Sequence, residues 1–259
     1  MIKDGLLTRF PRPDFALAIH DNPNQPVGLV GFTPGYAMAA ADSVDITIFG
    51  VGGHGGRPQS TIDPVVIAAR TVLALQTIVS RENNPLDPDV ITVGTIHAGT
   101  KNSITPDEVK LQLTVRTYKP DVRKRVLAAI ERVAKGEALA SGAPKEPLVK
   151  VTPAANATYN DPDLMKRLVA RLRGVLGPAN VVEVEPVMIF EDFAEFKLAG
   201  IPSVDLWVDA VKPESFAATQ QSGTPLPQLH SAAWAPDYAP TLKMAMTVET
   251  SELLELLGH

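Results

Sequence analysis

The sequence contains no cysteine and no excess of basic charge. Without cysteine, its 259 residues offer no disulfide, no thiolate metal ligand and no cysteine nucleophile. Lys and Arg number 24 against 29 Asp and Glu, a net charge of −5, which argues against the broad basic surface of a nucleic-acid-binding protein. Any metal site built from this chain must therefore use histidine and carboxylate ligands.

No apolar run in the sequence reads as long enough to span a bilayer. The segment Met1–Gly5 carries charges where a signal peptide would need apolar residues. With 45% hydrophobic and 20% charged residues, the composition is that of a folded globular protein, and the length allows one large domain or two modest ones. We therefore expect a cytoplasmic protein that contacts neither membrane nor nucleic acid.

Two segments read as buried strands of an α/β sheet. The continuous apolar run Phe15–Ile19 is typical of a strand in a parallel sheet, and His20 follows it directly. Ligands of such sheets collect beyond the carboxyl ends of the strands, so His20 is a candidate functional residue. A capped core histidine remains the alternative. The second strand, Ile201–Val208, precedes a long loop predicted at 209–229, which leads to His230.

The middle of the chain shows the pattern βαββαβ. Strand-type alternation at Val44, Ile46 and Ile48 is followed by a helix that begins at Pro64, and two further strands, a helix after Pro120 and a last strand complete the order. This order predicts a ferredoxin-like arrangement at about 38–152. It lies between two parts of another α/β domain, at 1–37 and 153–259.

A glycine-rich loop at 50–56 holds His54. Its spacing formally matches the dinucleotide-binding fingerprint, but the next helix does not open at the glycines and no acidic residue ends the following strand at the expected distance. A nicotinamide-dependent dehydrogenase is therefore the weakest of the readings we consider. The glycines are better explained as a sharp turn that holds His54 exposed. Neither a Gly-x-Ser-x-Gly elbow nor a Walker loop occurs.

Eight short motifs follow one another along the chain, at 15–23, 41–48, 52–58, 61–64, 101–107, 115–116, 191–193 and 229–231. In this order they resemble the metal-dependent amidohydrolases of the aminoacylase and carboxypeptidase metallopeptidase family. The similarity covers essentially the whole sequence, and the nearest branch is that of hippurate hydrolase and the indole-acetyl-amino-acid hydrolases.

The resemblance implies a catalytic α/β domain interrupted by a ferredoxin-like lid that also forms a homodimer. It further implies hydrolysis of the amide bond of N-acyl amino acids at two divalent metal ions, zinc or manganese and possibly cobalt. Carried over by position, His20 and His230 match metal ligands and His54 matches the catalytic histidine that polarises the scissile carbonyl. Asn102, Arg116 and Glu191 match substrate-binding residues.

Three features depart from the family pattern. The first metal-binding motif, His-x-Cys-x-His-Asp, and the Glu-Glu pair that supplies the general base have no counterpart, and Met1–Gly5 matches the stretch shortly after that pair. The sequence thus resembles the C-terminal part of such an enzyme, with an incomplete catalytic domain that we expect to be nearly inactive alone. Gln59 stands where many relatives have histidine, and Ile189-Phe190 replaces small residues, which predicts a differently shaped acyl pocket.

Two hypotheses from different classes follow. In the first, the chain is part of an amidohydrolase with the activity of its family. In the second, it is a genuine short paralogue that binds or dimerises through its lid without catalysis.

Overall fold

The computed structural model describes residues 1–258, which form two compact units. The core unit comprises Met1–Ala37, Thr158–Val187 and the segment from Asp192 onward, and the insert unit comprises Met38–Ala157 and Met188–Glu191. These units are defined by packing, and the domain limits of 37/38 and 152/153 stay a prediction from the sequence.

The chain contains both strands and helices, and the first five strands follow one another without an α-helix between them. Residues Ile78–Glu82 extend the second helix as a π-helical turn, and 3-10 turns occupy Pro58–Ser60 and Pro178–Asn180. In chain order the elements are α1 (Leu6–Arg9), β1 (Ala16–Pro26), β2 (Val30–Phe32), β3 (Gly35–Met38), β4 (Ala40–Phe49), β5 (Gly53–His54), α2 (Pro64–Thr77), β6 (Asp89–Ala98), β7 (Ile104–Thr105), β8 (Glu108–Thr117), α3 (Pro120–Ala140), β9 (Leu148–Ala155), β10 (Thr158–Asn160), α4 (Pro162–Leu176), β11 (Val181–Glu183), α5 (Ala194–Leu198), β12 (Ser203–Val211), α6 (Pro213–Ser222) and α7 (Tyr238–Leu257).

The insert unit has the ferredoxin-like arrangement that the sequence predicts. Its four-stranded sheet has the order β6-β8-β4-β9, and every neighbouring pair is antiparallel. Val44, Ile46 and Ile48 of β4 are buried in one hydrophobic cluster with residues of α2 and α3, as their alternation requires. The Asp63 carboxylate accepts a hydrogen bond from the Val65 N–H (2.9 Å), and Pro64 occupies the first turn, so α2 begins where these signals place it. The α3 helix runs through Gly136, the residue at which the sequence predicts its end, to Ala140.

The sequence analysis expects no segment long and apolar enough to span a bilayer, and the helical segment Pro64–Glu82 corrects this expectation. Among residues 1–258 it alone has the length and mean hydropathy, 1.2, of a possible membrane span. Ile67, Leu75 and Ile78 on this segment are buried in the core of the insert unit. A core helix with one buried face has this composition without crossing a membrane.

The main sheet of the core unit has the order β1-β12-β2-β11. β1 and β12 are parallel, with His20 opposite Trp207, and α4 and α7 pack against the sheet through a cluster that includes Leu168, Leu206 and Val248. The region 209–229, expected to be a loop, instead continues β12 to Val211 and then forms α6. A proline at the first helical position and a left-handed glycine after the last turn are ordinary helix signals that outweigh its polar composition.

A buried carboxyl group lies on the inner side of α7. Glu252 is almost fully buried, and neither of its side-chain oxygens has a hydrogen-bond partner. Burial raises the pKa of Glu252 to about 8, and the charges of Glu249 and Asp205 act in the same direction. The folded protein therefore keeps this acid protonated at neutral pH.

Glu252→Gln is expected to remove a pH dependence of stability. The folded-state pKa of about 8 exceeds the reference value of 4.5, so folding retains a proton that the unfolded chain releases. The free energy of unfolding contributed by this group is complete below pH 4.5 and is lost as the pH rises to about 8. Denaturant unfolding should show the variant more stable than wild type at pH 8 by about 2–4 kcal/mol, and similar at pH 4. The surface change Glu183→Gln is the control, and an equal effect of Glu252→Gln at both pH values would contradict the assignment.

Candidate functional site

The loops that carry His54 and Asn102 lie side by side in the insert unit. β5 and β7 form a short antiparallel ladder in which His54 is opposite Ile104, two residues after Asn102. The Gly55 N–H donates a hydrogen bond to the Ser103 carbonyl oxygen (2.8 Å), which extends the pairing beyond the ladder. The structure thus brings together two of the residues that the sequence singles out.

The imidazole of His54 has a defined orientation. Its Nδ1 accepts a hydrogen bond from the Gly56 N–H at 3.0 Å, while the side chain is exposed. A neutral imidazole that accepts at Nδ1 carries its proton on Nε2. His54 therefore presents an Nε2–H donor, the group needed to polarise a carbonyl oxygen.

Close packing explains the glycine at position 52. The Gly52 N–H donates to the Asp107 carboxylate (2.9 Å), and a Cβ atom at this position would lie 2.7 Å from the same oxygen. At Gly56 a Cβ would lie 3.2 Å from the His54 ring. The glycines thus let the loop approach Asp107 and hold the imidazole, in agreement with the sharp-turn interpretation.

A cavity of about 600 Å³ lies next to this pair of loops. Gly55, Asp63, Lys101 and Asn102 contribute to its wall. This volume is within the range of small-molecule sites.

Arg116 and Glu191 lie in another part of the insert unit. Arg116 is near the end of β8, opposite Ala41 of β4, and its Cζ atom lies 4.5 Å from the centre of the Phe190 ring. Burial lowers the pKa of Arg116 below its ordinary value, and the charge of Asp42 opposes that shift. Glu191 follows Phe190 directly and is only partly exposed.

His20 lies in the core unit beside acidic residues that the sequence analysis did not single out. Its Nε2 is 3.7 Å from the buried Asp205 carboxylate, and its ring centre is 5.6 Å from that of Trp207. Two residues further along β1, the Asn22 side-chain N–H donates to Asp209 at 2.5 Å. Burial raises the pKa of Asp209 to about 7, and the hydrogen bond from Asn22 opposes the shift.

These acids could have been identified from the sequence, because they are polar residues that interrupt an otherwise apolar strand. Asp205, Trp207 and Asp209 occupy alternate positions of β12 and therefore share one face of it. From the sequence, Ile201–Val208 was interpreted as a buried apolar strand, and the aspartate within it was given no role. Only the pairing with β1 places the two carboxyl groups beside His20 and Asn22.

His230 is exposed and adopts a left-handed backbone conformation, with φ of 66°. Such a conformation costs energy in a non-glycine residue and is enriched at functional sites. His20 and His230 are two imidazoles, whereas a catalytic zinc or related site needs about three protein ligands. Within residues 1–258 no group of three His, Asp or Glu side chains is arranged to hold a metal ion. The residues of this chain alone therefore do not fit a two-metal centre.

Gly52→Ala is expected to destabilise the protein by about 1–3 kcal/mol, because the new methyl group would displace the Asp107 carboxylate and the loop that holds His54. The matched control is Gly136→Ala in α3, where a Cβ meets nothing within 4 Å. That change should stabilise the protein by about 0.5–1 kcal/mol through helix propensity. Thermal unfolding of the two variants measures the contrast, and a neutral Gly52→Ala would argue against close packing of the loop.

Comparison with protein families matches residues 37–141 to the peptidase dimerisation domain of the M20 family. The N-acetyldiaminopimelate deacetylase of Lactobacillus helveticus is 31% identical over 241 residues, which cover 91% of this chain and 57% of the relative. Thermostable carboxypeptidase 2 of Saccharolobus solfataricus is 34% identical over 198 residues, which cover 76% of this chain and 48% of the relative. The chain thus spans about half the length of the curated relatives it matches.

Solved structures share the fold. A putative aminohydrolase from methicillin-resistant Staphylococcus aureus superposes with a TM-score of 0.80 at 23% identity, over 98% of this chain and 61% of that one. A dinuclear metal-binding M20 peptidase from Bacillus subtilis superposes with a TM-score of 0.74 at 23% identity, over 99% of this chain and 60% of that one.

Proposed function

We propose that this chain belongs to the M20 peptidase family and functions as part of a metal-dependent amidohydrolase. The match of residues 37–141 to the family's dimerisation domain and the similarity to a deacetylase and a carboxypeptidase support this proposal. The proposed substrates are N-acyl amino acids of the hippurate type, as in the hippurate hydrolase and indole-acetyl-amino-acid hydrolase branch. The names of the relatives, an N-acetyldiaminopimelate deacetylase and a carboxypeptidase, support a substrate in which an amide bond lies near a carboxylate.

The hydrogen bond to His54 is the observation that carries this proposal. It leaves an Nε2–H donor exposed on a closely packed loop, which is suited to stabilise the oxyanion that forms when water attacks an amide. Arg116 offers a planar guanidinium that can bind a carboxylate through two parallel hydrogen bonds. Asn102 and Glu191 complete the proposed substrate-binding set.

The proposed metal ligands His20 and His230 need partners from outside the residues described. We propose that the general base and the other ligands are supplied by the portion of the longer relatives that this chain does not span. Bound metal, whether zinc, manganese or cobalt, would supply an activated water. We therefore expect the isolated chain to be nearly inactive. Recovery of an in-frame upstream His-x-Cys-x-His-Asp motif and Glu-Glu pair is the test, and their absence would contradict it.

In a version of the protein extended by that portion, His54→Ala should lower turnover of N-acyl amino acids by about 10²–10³-fold, the effect of losing one oxyanion donor. Its metal content should not change. His230→Ala should reduce both metal content and turnover, because it removes a proposed ligand. Metal analysis of the purified variants beside an assay on hippurate and related amides makes the distinction. Loss of metal from His54→Ala would show that its proposed role is wrong.

We further propose that the protein forms a homodimer through the insert unit. β6 is an edge strand of the sheet, and α2 exposes Val65, Val66 and Leu73 on its outer side. An open strand edge beside exposed apolar side chains is suited to pair with a second copy.

Leu73→Glu is expected to weaken this dimer by at least tenfold, because it places a charge in an apolar contact. Leu73 is 72% exposed within one chain, so the change should not affect folding. Leu139→Glu at the end of α3, where the leucine is 83% exposed, is the matched control. Sedimentation velocity over a range of concentrations gives the monomer–dimer equilibrium. Equal behaviour of the two variants would exclude the α2 face as the interface.

A second proposed function is that of a non-catalytic paralogue that binds or dimerises through the insert unit, which the exposed apolar side chains of α2 support. Co-purification of the chain with a longer M20 relative, without bound metal, would favour this alternative over the enzyme.

A further inference from the structure

We propose that Phe190 is a specificity-determining residue, whose ring against Arg116 gives the carboxylate-binding position an apolar wall and selects ligands with an apolar side chain next to their carboxylate. This inference rests on the proposed function of Arg116 as a carboxylate-binding residue. It adds a role for a neighbouring residue that does not itself bind the carboxylate, and it places Phe190 beside the carboxylate rather than in the acyl pocket that the sequence predicts.

The position of Phe190 is set by the backbone of the insert unit. The carbonyl oxygen of Ile189 accepts a hydrogen bond from the Ala39 N–H (2.9 Å), just before β4. Ala41, two residues further on, is opposite Arg116 in the ladder between β4 and β8. This hydrogen bond attaches the segment that carries Phe190 to the start of β4, the strand that pairs with β8 at Arg116.

The contact has the properties of a cation–π interaction. The guanidinium carbon lies 4.5 Å from the ring centre, well inside the range in which the ring quadrupole attracts a cation. A ring at this distance also restricts the orientations of the guanidinium and excludes water from one side of it. A less hydrated, better-oriented guanidinium forms stronger charge-assisted hydrogen bonds with a carboxylate.

Phe190 and Ile189 also expose apolar surface beside this charge. Each side chain is 45% exposed, although both are large and apolar. A carboxylate bound at Arg116 would bring its α-substituent close to this surface. An apolar substituent would bury area there, whereas a hydrogen atom, as in an N-acylglycine, would leave the surface exposed to water.

The test is an NMR titration of the full chain that follows the Arg116 side-chain Nε–H signal, assigned by its loss in Arg116→Lys. The probes are N-acetyl-L-leucine, N-acetylglycine, and N-acetyl-L-leucinamide, which lacks the carboxylate. Phe190→Leu keeps an apolar side chain but removes the ring, and Phe190→Trp restores a ring. The matched control is Phe10→Leu, which removes the ring beside Arg9 in the core unit.

We expect N-acetyl-L-leucine to bind wild type at least about threefold more tightly than N-acetylglycine, and the amide not to bind. Phe190→Leu should weaken binding of N-acetyl-L-leucine by about two- to fivefold, and Phe190→Trp should restore it. The Arg116 signal of the free protein should move in Phe190→Leu, because the ring current is lost. Phe10→Leu should change none of these quantities.

Two contrary results have different meanings. If N-acetyl-L-leucine moves the Arg116 signal but Phe190→Leu binds it as tightly as wild type or more so, Phe190 does not determine specificity, and the proposed role of Arg116 stands. If none of the carboxylates moves the Arg116 signal in wild type, both the role of Phe190 and that of Arg116 are wrong.

Discussion

The architecture of the insert unit depends on the burial of one face of β4. This strand pairs with β8 on one side and β9 on the other, and Val44, Ile46 and Ile48 place it against α2 and α3. Its first residues carry a buried ion pair, in which Arg123 of α3 donates two hydrogen bonds of 2.7 Å to Asp42. Its last residue leads into the glycine loop. The orientation of the His54 imidazole is thus the end of a chain of contacts that begins in the hydrophobic core.

Asp42 in the insert unit and the acids Asp209 and Glu252 in the core unit are buried in different ways. In the insert unit, Asp42 is paired with a guanidinium that also donates to Asn156, so its charge is compensated inside the fold. In the core unit, burial raises the pKa of both Asp209 and Glu252, and Asp205 contributes to the shift of Glu252. A neutral acid avoids the cost of a buried charge, but it makes stability depend on pH. Asp205, which lies beside His20, therefore also contributes to the pH dependence that Glu252 gives to the stability of the core unit.

Features with a short period in the sequence were predicted well. The alternation along β4 and the proline at the start of α2 led to the correct order of elements in the insert unit, since each depends on neighbouring residues alone. The helix α6 was missed because its polar composition resembles a loop, although its proline and glycine signals were present. The segment Pro64–Glu82 was missed as a possible span because polar and charged residues such as Arg70 interrupt it, so it does not form one apolar run although its mean hydropathy is high.

The same distinction between local sequence patterns and long-range packing applies to the candidate site. His54, Arg116 and His230 were singled out from the sequence, together with the order of the motifs and the resemblance to a family, because each is a property of residue types at fixed spacing. The roles of these residues stay a prediction. Only the tertiary structure decided that Gly56 orients His54, that Asp205 lies beside His20, and that Phe190 lies against Arg116. The two latter contacts join residues far apart in the chain through strand pairing and a single backbone hydrogen bond. Such long-range geometry leaves no periodic trace in the sequence, because it is set by the packing of whole elements.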